Sequence, residues 1–403
     1  MLYPASLYAF RDNAVIKTKP MKYLLYTGVL ALLICCCYSC NAKGHRPGKT
    51  KNREIKVLLK DSVTNNFPYD QERNYTAIYP IYYKGNNWIL QGNTRSGYTA
   101  LTGIDKGNKN QYLVLDTFKR VKRMYKIQCF EYTNADSIWA VSPENGQIYL
   151  FSLEGTLRKS IPLNLAFDHK PVDLIARMRG WPFAYSSVQQ QFYYPILSLY
   201  GEDSQYFRQP KFATLQLQKD SAAITNVFGA FPSAYTNQFL GYTNIPSIYT
   251  FAGKTLVNYY LSDSLYAYTD GKPAQAYDAH SAVVGEPERL FDPAQSNNKD
   301  YINEFAFSYT AYNDLVTNHA SPYLFRTVEH KSSFYNADST INDPVDKPWS
   351  IVVLNASLQI VGEINIGPAL INRIEYMPYG KGFWGRSLQT NQYYYYEMQL
   401  DEL

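Results

Sequence analysis

The sequence predicts an all-β fold, a six-bladed β-propeller, and three observations lead there. The first is the stretch Asp136 to Leu163, which reads as three strands: an aromatic-rich one ending at the Pro143-Glu144-Asn145-Gly146 turn, a second from Gln147 to Leu153, and a third after the Glu154-Gly155 turn. That is most of one blade. The second is recurrence: looser copies of the pattern start about fifty to seventy residues apart, near the period of long blades once insertions are allowed. The third is composition. Of 403 residues 46% are hydrophobic, enough for a large core, and 39 are tyrosine, whose ring packs well on a pleated surface. Two consecutive β-sandwich domains are the alternative, but no Pro/Gly/Ser-rich linker and no change of composition divides the chain.

Taken in order, residues 1–20 read as an over-extended start, because a secretion signal begins close to its own positive region and Met21-Lys22 supplies one. Residues 21–40 read as that signal: a positive start, the apolar run Tyr23 to Ile34, and a small residue before a cysteine. The run is too short to span a bilayer comfortably. Cys37-Tyr38-Ser39-Cys40 resembles a bacterial lipobox, with Cys37 where the pattern prefers Leu, and the resemblance implies lipid on Cys40, with Cys36 and Cys37 as lesser candidates. The same residues have thioredoxin spacing, but they follow no strand of a βαβ unit, which argues against a redox role. Without the signal, Cys129 is the only cysteine other than the lipidated one, so core packing alone must stabilise the exported domain.

Residues 41–53 are basic and carry Gly and Pro but no apolar face, which predicts a flexible tether. The formal net charge of +5 is concentrated before Lys60, a pattern that suits attraction to anionic lipid or simple solvation and gives no support for nucleic acid. Residues 54–403 are the propeller domain. Ile55 to Leu59 reads as a strand able to join the last blade and close the ring, which removes exposed sheet edges.

The first unit pairs Asn87 to Leu90 with Gln111 to Asp116, and the second is the Asp136 to Leu163 stretch. The third joins Phe192 to Leu197 with Phe212 to Leu217, and the fourth joins Thr255 to Leu261 with Ser264 to Tyr268. The fifth holds Tyr323 to Val328, Ser350 to Leu354 and Ile360 to Ile366; the sixth holds Gly382 to Arg386 and Tyr393 to Met398. No segment shows a convincing amphipathic helix. Long loops are expected at Arg177 to Ser187, Glu286 to Tyr301 and Lys331 to Lys347, where propeller insertions build a binding face.

The signal and lipobox, the strand Tyr323 to His330, and Lys347-Pro348-Trp349-Ser350-Ile351-Val352-Val353-Leu354 leading to Val361-Gly362-Glu363 resemble uncharacterised six-bladed propeller lipoproteins of the Bacteroidota, of TolB-like or NHL-like type. The resemblance covers roughly Ile55 to Leu400 and is specific in its last third. It implies an exported, lipid-anchored propeller; it transfers no substrate and no catalytic residue.

Motifs for phosphate, zinc, a nucleophile elbow and an acidic calcium loop are all missing from the sequence, so catalytic residues stay unknown and no cofactor or metal is expected. His169, His280, His319 and His330 show no short metal spacing, although Asp278 and His280 could share a site with distant ligands. Arg326 and His330 stand in the densest polar cluster on a strand. Arg326 either bonds between blades or lines a channel and grips an anion or sugar hydroxyl with its planar fork. Arg177, Arg179 and Trp181 form the best loop candidate, a stacking ring beside two cations, and Trp384 with Arg386 is a similar pair on a strand.

These readings lead to a lipid-anchored binding or interaction module of the cell envelope, without turnover. The membrane through its anchor, an envelope protein, or a glycan or peptide are the expected partners. The alternative is a propeller enzyme acting on glycans or peptides through dispersed carboxylates. No acidic residue follows Cys40 in Asn41-Ala42-Lys43-Gly44, which favours outer-membrane anchoring that faces the periplasm over surface display.

Overall fold

The protein was analysed as a computed structural model. The chain divides into two units, Met1–Lys51 and Asn52–Leu403. The structure describes residues 52–64, 76–93, 99–107, 109, 111–115, 117–125, 129–172, 174, 183–196, 205–232, 246–269, 272–283, 292–295, 298–318, 320–342, 347–366, 371, 375–387, 389–390 and 392–400. The expected signal, Cys40 and nearly all of the tether lie outside the described residues.

Strand β1 (Lys56–Thr64) precedes a first sheet of β2 (Thr76–Tyr83), β3 (Asn86–Asn93), β4 (Thr99–Gly103) and β5 (Tyr112–Leu115). Helix α1 (Thr117–Tyr125) leads to β6 (Cys129–Asn134), β7 (Ser137–Ser142), β8 (Gln147–Phe151) and β9 (Leu157–Asn164). A small hairpin, β10 (Ala166–Phe167) and β11 (Lys170–Pro171), comes before β12 (Ala184–Ser186) and β13 (Gln191–Pro195). The short α2 (Gln205–Arg208) separates these from β14 (Phe212–Leu217) and β15 (Ala222–Phe228). Next comes a sheet of β16 (Ser247–Phe251), β17 (Lys254–Asn258), β18 (Ser264–Thr269) and β19 (Lys272–Asp278). Helix α3 (Lys299–Phe307) is followed by β20 (Ala311–Val316), β21 (Leu324–Glu329), β22 (Trp349–Leu354) and β23 (Ile360–Ile366). The chain closes with β24 (Tyr376–Tyr379), β25 (Gly382–Arg386) and β26 (Gln392–Gln399).

The fold is all-β, with its sheets in a propeller-like arrangement. Four sheets are four-stranded, and one is eight-stranded with the order β12-β13-β14-β15-β9-β8-β7-β6. That larger sheet consists of two antiparallel meanders joined only where β15 meets β9 in parallel, Ala222 opposite Leu163 and Ala223 opposite Asn164. The N-terminal strand joins the last sheet as expected: β1 lies antiparallel to β26, from Lys56 opposite Gln399 to Thr64 opposite Gln392. Just before it, Glu54 bridges Glu363 on β23, through Ile55 N–H to Glu363 O at 2.8 Å and Glu363 N–H to Arg53 O at 2.9 Å. Gly362 permits this contact, since a Cβ there would sit 2.5 Å from Arg53 O.

Cores form between sheets rather than within them. Trp139, Val141 and Ile148 of one meander pack with Phe192, Tyr194 and Leu215 of the next. Ile351, Val353 and Ile364 pack with Tyr376 and Phe383 of the last sheet. Each strand presents alternate side chains to opposite neighbours, so apolar residues stand on both faces and strands such as β22 are buried throughout.

The helices correct the sequence reading. In α1, Thr117, Val121 and Tyr125 repeat every four residues, and Val121 and Tyr125 pack on Ala140, Tyr149 and Phe151. Nine residues with one buried stripe among basic side chains give a weak periodic signal, and tertiary packing supplies the stability. Helix α3 starts inside the loop expected at 286–301, where the Asn298 side chain accepts from Tyr301 N–H, and it buries Phe305 and Phe307.

Candidate functional site at the meeting of the first strands

Neighbouring sheets touch through their first strands: β2 lies against β6 and β24, and β16 against β12 and β20. Tyrosines and a carboxylate stand at several of their contacts. Tyr79 of β2 meets Tyr132 of β6 with ring centroids 4.5 Å apart. Thr250 of β16 donates to the Tyr185 carbonyl of β12 at 3.3 Å. The Tyr249 hydroxyl donates to Asp314 Oδ1 of β20 at 3.5 Å. Burial raises Tyr249 well above the usual tyrosine range, and the charge of Asp314 adds to the rise, with smaller contributions from Tyr376 and Tyr79. Four sheets thus place groups within electrostatic reach of one another. Tyr79, Tyr132, Tyr185, Tyr249 and Asp314 all stay partly exposed there.

Glu131 lies on β6 beside Tyr132, and adjacent residues of a strand point to opposite faces. Burial pushes its carboxyl up to about 8, so near neutral pH it is largely protonated and can donate as well as accept a hydrogen bond. Tyr79 and Tyr132 pack on one inter-sheet core and Tyr249 on another, and their partly exposed rings with the Asp314 carboxylate suit a hydroxyl-rich or amide-bearing ligand: rings offer flat apolar faces, and the polar group sets orientation.

The described residues singled out in the sequence lie elsewhere. Arg326 is completely buried. Its Nε and Nη2 donate to Asn258 Oδ1 at 3.0 and 2.8 Å, Nη2 also to Ser262 O at 2.6 Å, and Nη1 to Ala279 O at 2.8 Å and Asp263 O at 3.1 Å. Its guanidinium carbon lies 3.9 Å from the Tyr312 ring centroid. The side chain ties β21 to β17 and to the segments flanking β18 and β19, which is the inter-sheet role and leaves no surface for a ligand. His330 is 8% exposed, and neither ring nitrogen has a hydrogen-bond partner of normal geometry. Burial holds it below the usual histidine range, Lys347 adds to that, and Glu363 opposes it. Trp384 packs with Val63, Ile89, Ile104, Met377 and Tyr393 between the first and last sheets, so it is a core residue. Arg386 Nη1 donates to the buried Glu375 Oε2 at 2.7 Å. Arg177, Arg179, Trp181 and His319 lie outside the described residues.

Around His330 the polar groups serve assembly. Glu363 accepts from Ser281 Oγ at 2.5 Å, from Ala282 N–H at 2.7 Å and from Ser350 Oγ. Asn52, at the start of the domain, donates to Glu363 Oε2 at 3.3 Å and to His280 O at 2.7 Å. Lys347 donates to Ala306 O at 2.7 Å and Tyr309 O at 3.1 Å, satisfying carbonyls at the end of α3. His280 Nδ1 and Asp278 Oδ1 do pair, at 2.6 Å. Among the described residues no group of three or more His, Cys, Asp or Glu could hold a metal ion. No helix among them is long and apolar enough to cross a membrane.

Sequence reasoning missed Glu131, Tyr249 and Asp314 because it missed the strands that carry them. The available signal was alternation over four or five residues, as in Tyr249, Phe251 and Tyr312, Asp314.

No protein-family model and no curated protein matches the sequence. Solved structures do match. A member of the DUF4221 family from Bacteroides vulgatus is similar over 87% of this chain and 100% of its own, with a TM-score of 0.62 and 14% identity. That likeness shows the fold alone. A putative exported protein from Bacteroides fragilis, TM-score 0.45, is 10% identical over 88% of this chain and 98% of its own. A periplasmic gluconolactonase of Pseudomonas aeruginosa, TM-score 0.39, is 10% identical over 78% of this chain and 79% of its own. Neither of these two is close enough to carry an argument about chemistry.

Proposed function

We propose that the chain is an exported, lipid-anchored propeller of six blades, of the kind found in uncharacterised Bacteroidota lipoproteins, and that it binds a hydroxyl-rich or amide-bearing ligand, a glycan or a peptide, without turnover. The six-blade count takes the eight-stranded sheet as two four-stranded meanders, which its single two-residue parallel joint supports. The observation that carries the binding reading is the approach of Tyr79, Tyr132, Tyr249 and Asp314 on the first strands. Loop residues Arg177, Arg179 and Trp181 remain ligand-binding candidates from the sequence. Lipid on Cys40 and a periplasm-facing outer-membrane position complete the reading, with no nucleic acid, cofactor or metal involved.

A thermal-shift screen of Asn52–Leu403 against glycans, peptidoglycan fragments and peptides tests the binding. A ligand present at about a hundred times its dissociation constant stabilises the folded state by close to 3 kcal/mol. Asp314→Asn and Tyr249→Phe should remove the shift, and a hit that both variants keep would place the site elsewhere. Cys40→Ala should release the protein from membranes, and unchanged fractionation would refute lipidation there. Protection from protease in intact cells is the expected result for a periplasm-facing domain.

Hydrolysis of a glycan or peptide is the second reading, and one observation favours it: Glu131 keeps its proton near neutral pH, as a general acid must. Product formation that Glu131→Gln abolishes while binding persists would move the assignment to an enzyme.

A further inference from the structure

The outer rim formed by β1, β5 and α1 combines exposed apolar side chains with basic ones, and these three elements are consecutive around the fold. Lys109, in the turn before β5, pairs with Asp61 of β1, and Val63 packs against Ile89 and Ile104 of the first sheet. Helix α1 follows β5 directly and is seated on β7 and β8 through Val121 and Tyr125.

Leu58 and Leu59 are adjacent on a strand and so point to opposite faces, yet they are 42% and 59% exposed; this end of β1 stands clear of the core. Val114 on β5 is 58% exposed and Met124 on α1 is 60% exposed. An exposed apolar edge invites sticking unless something covers it. The flanking charge says what does. Lys56, Lys60, Arg120 and Arg123 are exposed on the same elements, α1 has no acidic residue in its sequence, and of the nearby carboxylates Asp61 meets Lys109 while Glu397 lies 4.0 Å from Lys60.

We infer that this rim rests on an anionic lipid surface, Leu58, Leu59, Val114 and Met124 entering the headgroup layer and the basic side chains meeting lipid phosphates. The chain outside the described residues supports this occupant. β1 begins only a few residues after the basic tether of residues 41–53, so an anchor at Cys40 would keep the start of β1 within a tether's length of the bilayer. That last argument rests on the anchoring reading above; the exposure and the charge do not. The surface contact gives the tethered domain a preferred orientation, which a lipid on a flexible tether cannot provide.

The test uses Asn52–Leu403, which holds every described strand and every described buried residue and so folds as a unit without the lipid. Its co-sedimentation is measured with vesicles of phosphatidylcholine alone and with one third phosphatidylglycerol. Binding is expected only to the anionic vesicles, with loss in high salt. Each basic residue near the surface adds roughly five-fold to partitioning, so Arg120→Glu with Arg123→Glu should lower it at least about twenty-five-fold. Leu59→Ser with Met124→Ser should weaken it at constant charge, and all these positions are exposed, so melting should not change. Absence of binding to anionic vesicles, or equal binding by the Arg120→Glu, Arg123→Glu protein, would overturn the inference and leave the anchor untouched. Failure of the anchor reads out separately, as unchanged fractionation of Cys40→Ala.

Discussion

Replacing Arg326 by alanine separates a structural arginine from a ligand-gripping one. The substitution strips hydrogen bonds from Asn258 Oδ1 and from the carbonyls of Ser262, Asp263 and Ala279, all at 2.6 to 3.1 Å, and removes the cation over Tyr312. A buried acceptor left without a donor costs about 1–3 kcal/mol, less where water enters the space the side chain vacates. Breaking a buried, hydrogen-bonded charge network typically costs about 3–5 kcal/mol, so a loss of about 4 kcal/mol is expected. Against the roughly 5–15 kcal/mol of a typical domain, that is a large share. Arg326→Lys keeps the charge but reaches fewer of these acceptors, because an ammonium has no planar fork, and should lose about 2 kcal/mol. Equilibrium unfolding in urea, followed by tryptophan fluorescence, measures both. An alanine variant within about 1 kcal/mol of the parent would refute the reasoning and return Arg326 to the list of ligand residues.

Three more outcomes follow from the geometry. Gly362→Ala should dislodge the segment around Arg53 to Ile55, with a loss of about 1–3 kcal/mol and faster proteolysis at the N-terminal edge of the domain, since its Cβ would fall 2.6 Å from Ile55 Cγ1. Glu375→Gln should cost about 3–5 kcal/mol by leaving Arg386 without its carboxylate in a buried place, whereas the paired change Glu375→Leu, Arg386→Met should recover most of that in a double-mutant cycle. The pH dependence concerns Glu131, whose carboxyl burial raises in the folded state to about 8 from its ordinary value of 4.5. Because the folded state holds the proton more tightly, the stabilisation is fully present below about pH 4.5 and is lost as pH rises through about 8. Within that window stability should fall by about 1 kcal/mol per pH unit, and Glu131→Gln should flatten the slope; parallel curves for the two proteins would count against it.

The strands that the sequence located are middle and outer strands of the sheets, while β4, β15 and β19 went unread. Trp139 to Ser142, Trp349 to Leu354 and Phe383 to Arg386 announce themselves because they are buried on both faces and bounded by turns such as Pro143 to Gly146. The closing role of the N-terminal strand was legible for a related reason: the sequence shows a leftover strand before the first unit, and sheet edges seek a partner. The first strands were not legible. β12 is only Ala184–Ser186, and β6 mixes Glu131, Thr133 and Asn134 with two rings, so neither carries a periodic signal.

Composition and repetition were therefore enough to determine the fold class of this protein, because inter-sheet packing imposes apolar residues on both faces of every middle strand. The sequence marked Arg326, His330 and Arg386 as candidate ligand residues, and the structure buries all three between sheets. A guanidinium on a strand reads the same whether it faces a ligand or the backbone carbonyls of a neighbouring sheet. That choice depends on which sheets are adjacent, and Arg326 meets Asn258 across 68 positions of chain. The approach of Tyr79, Tyr249 and Asp314 is equally a product of closure. Each lies on a different sheet, so only the tertiary arrangement of those sheets makes one site of them.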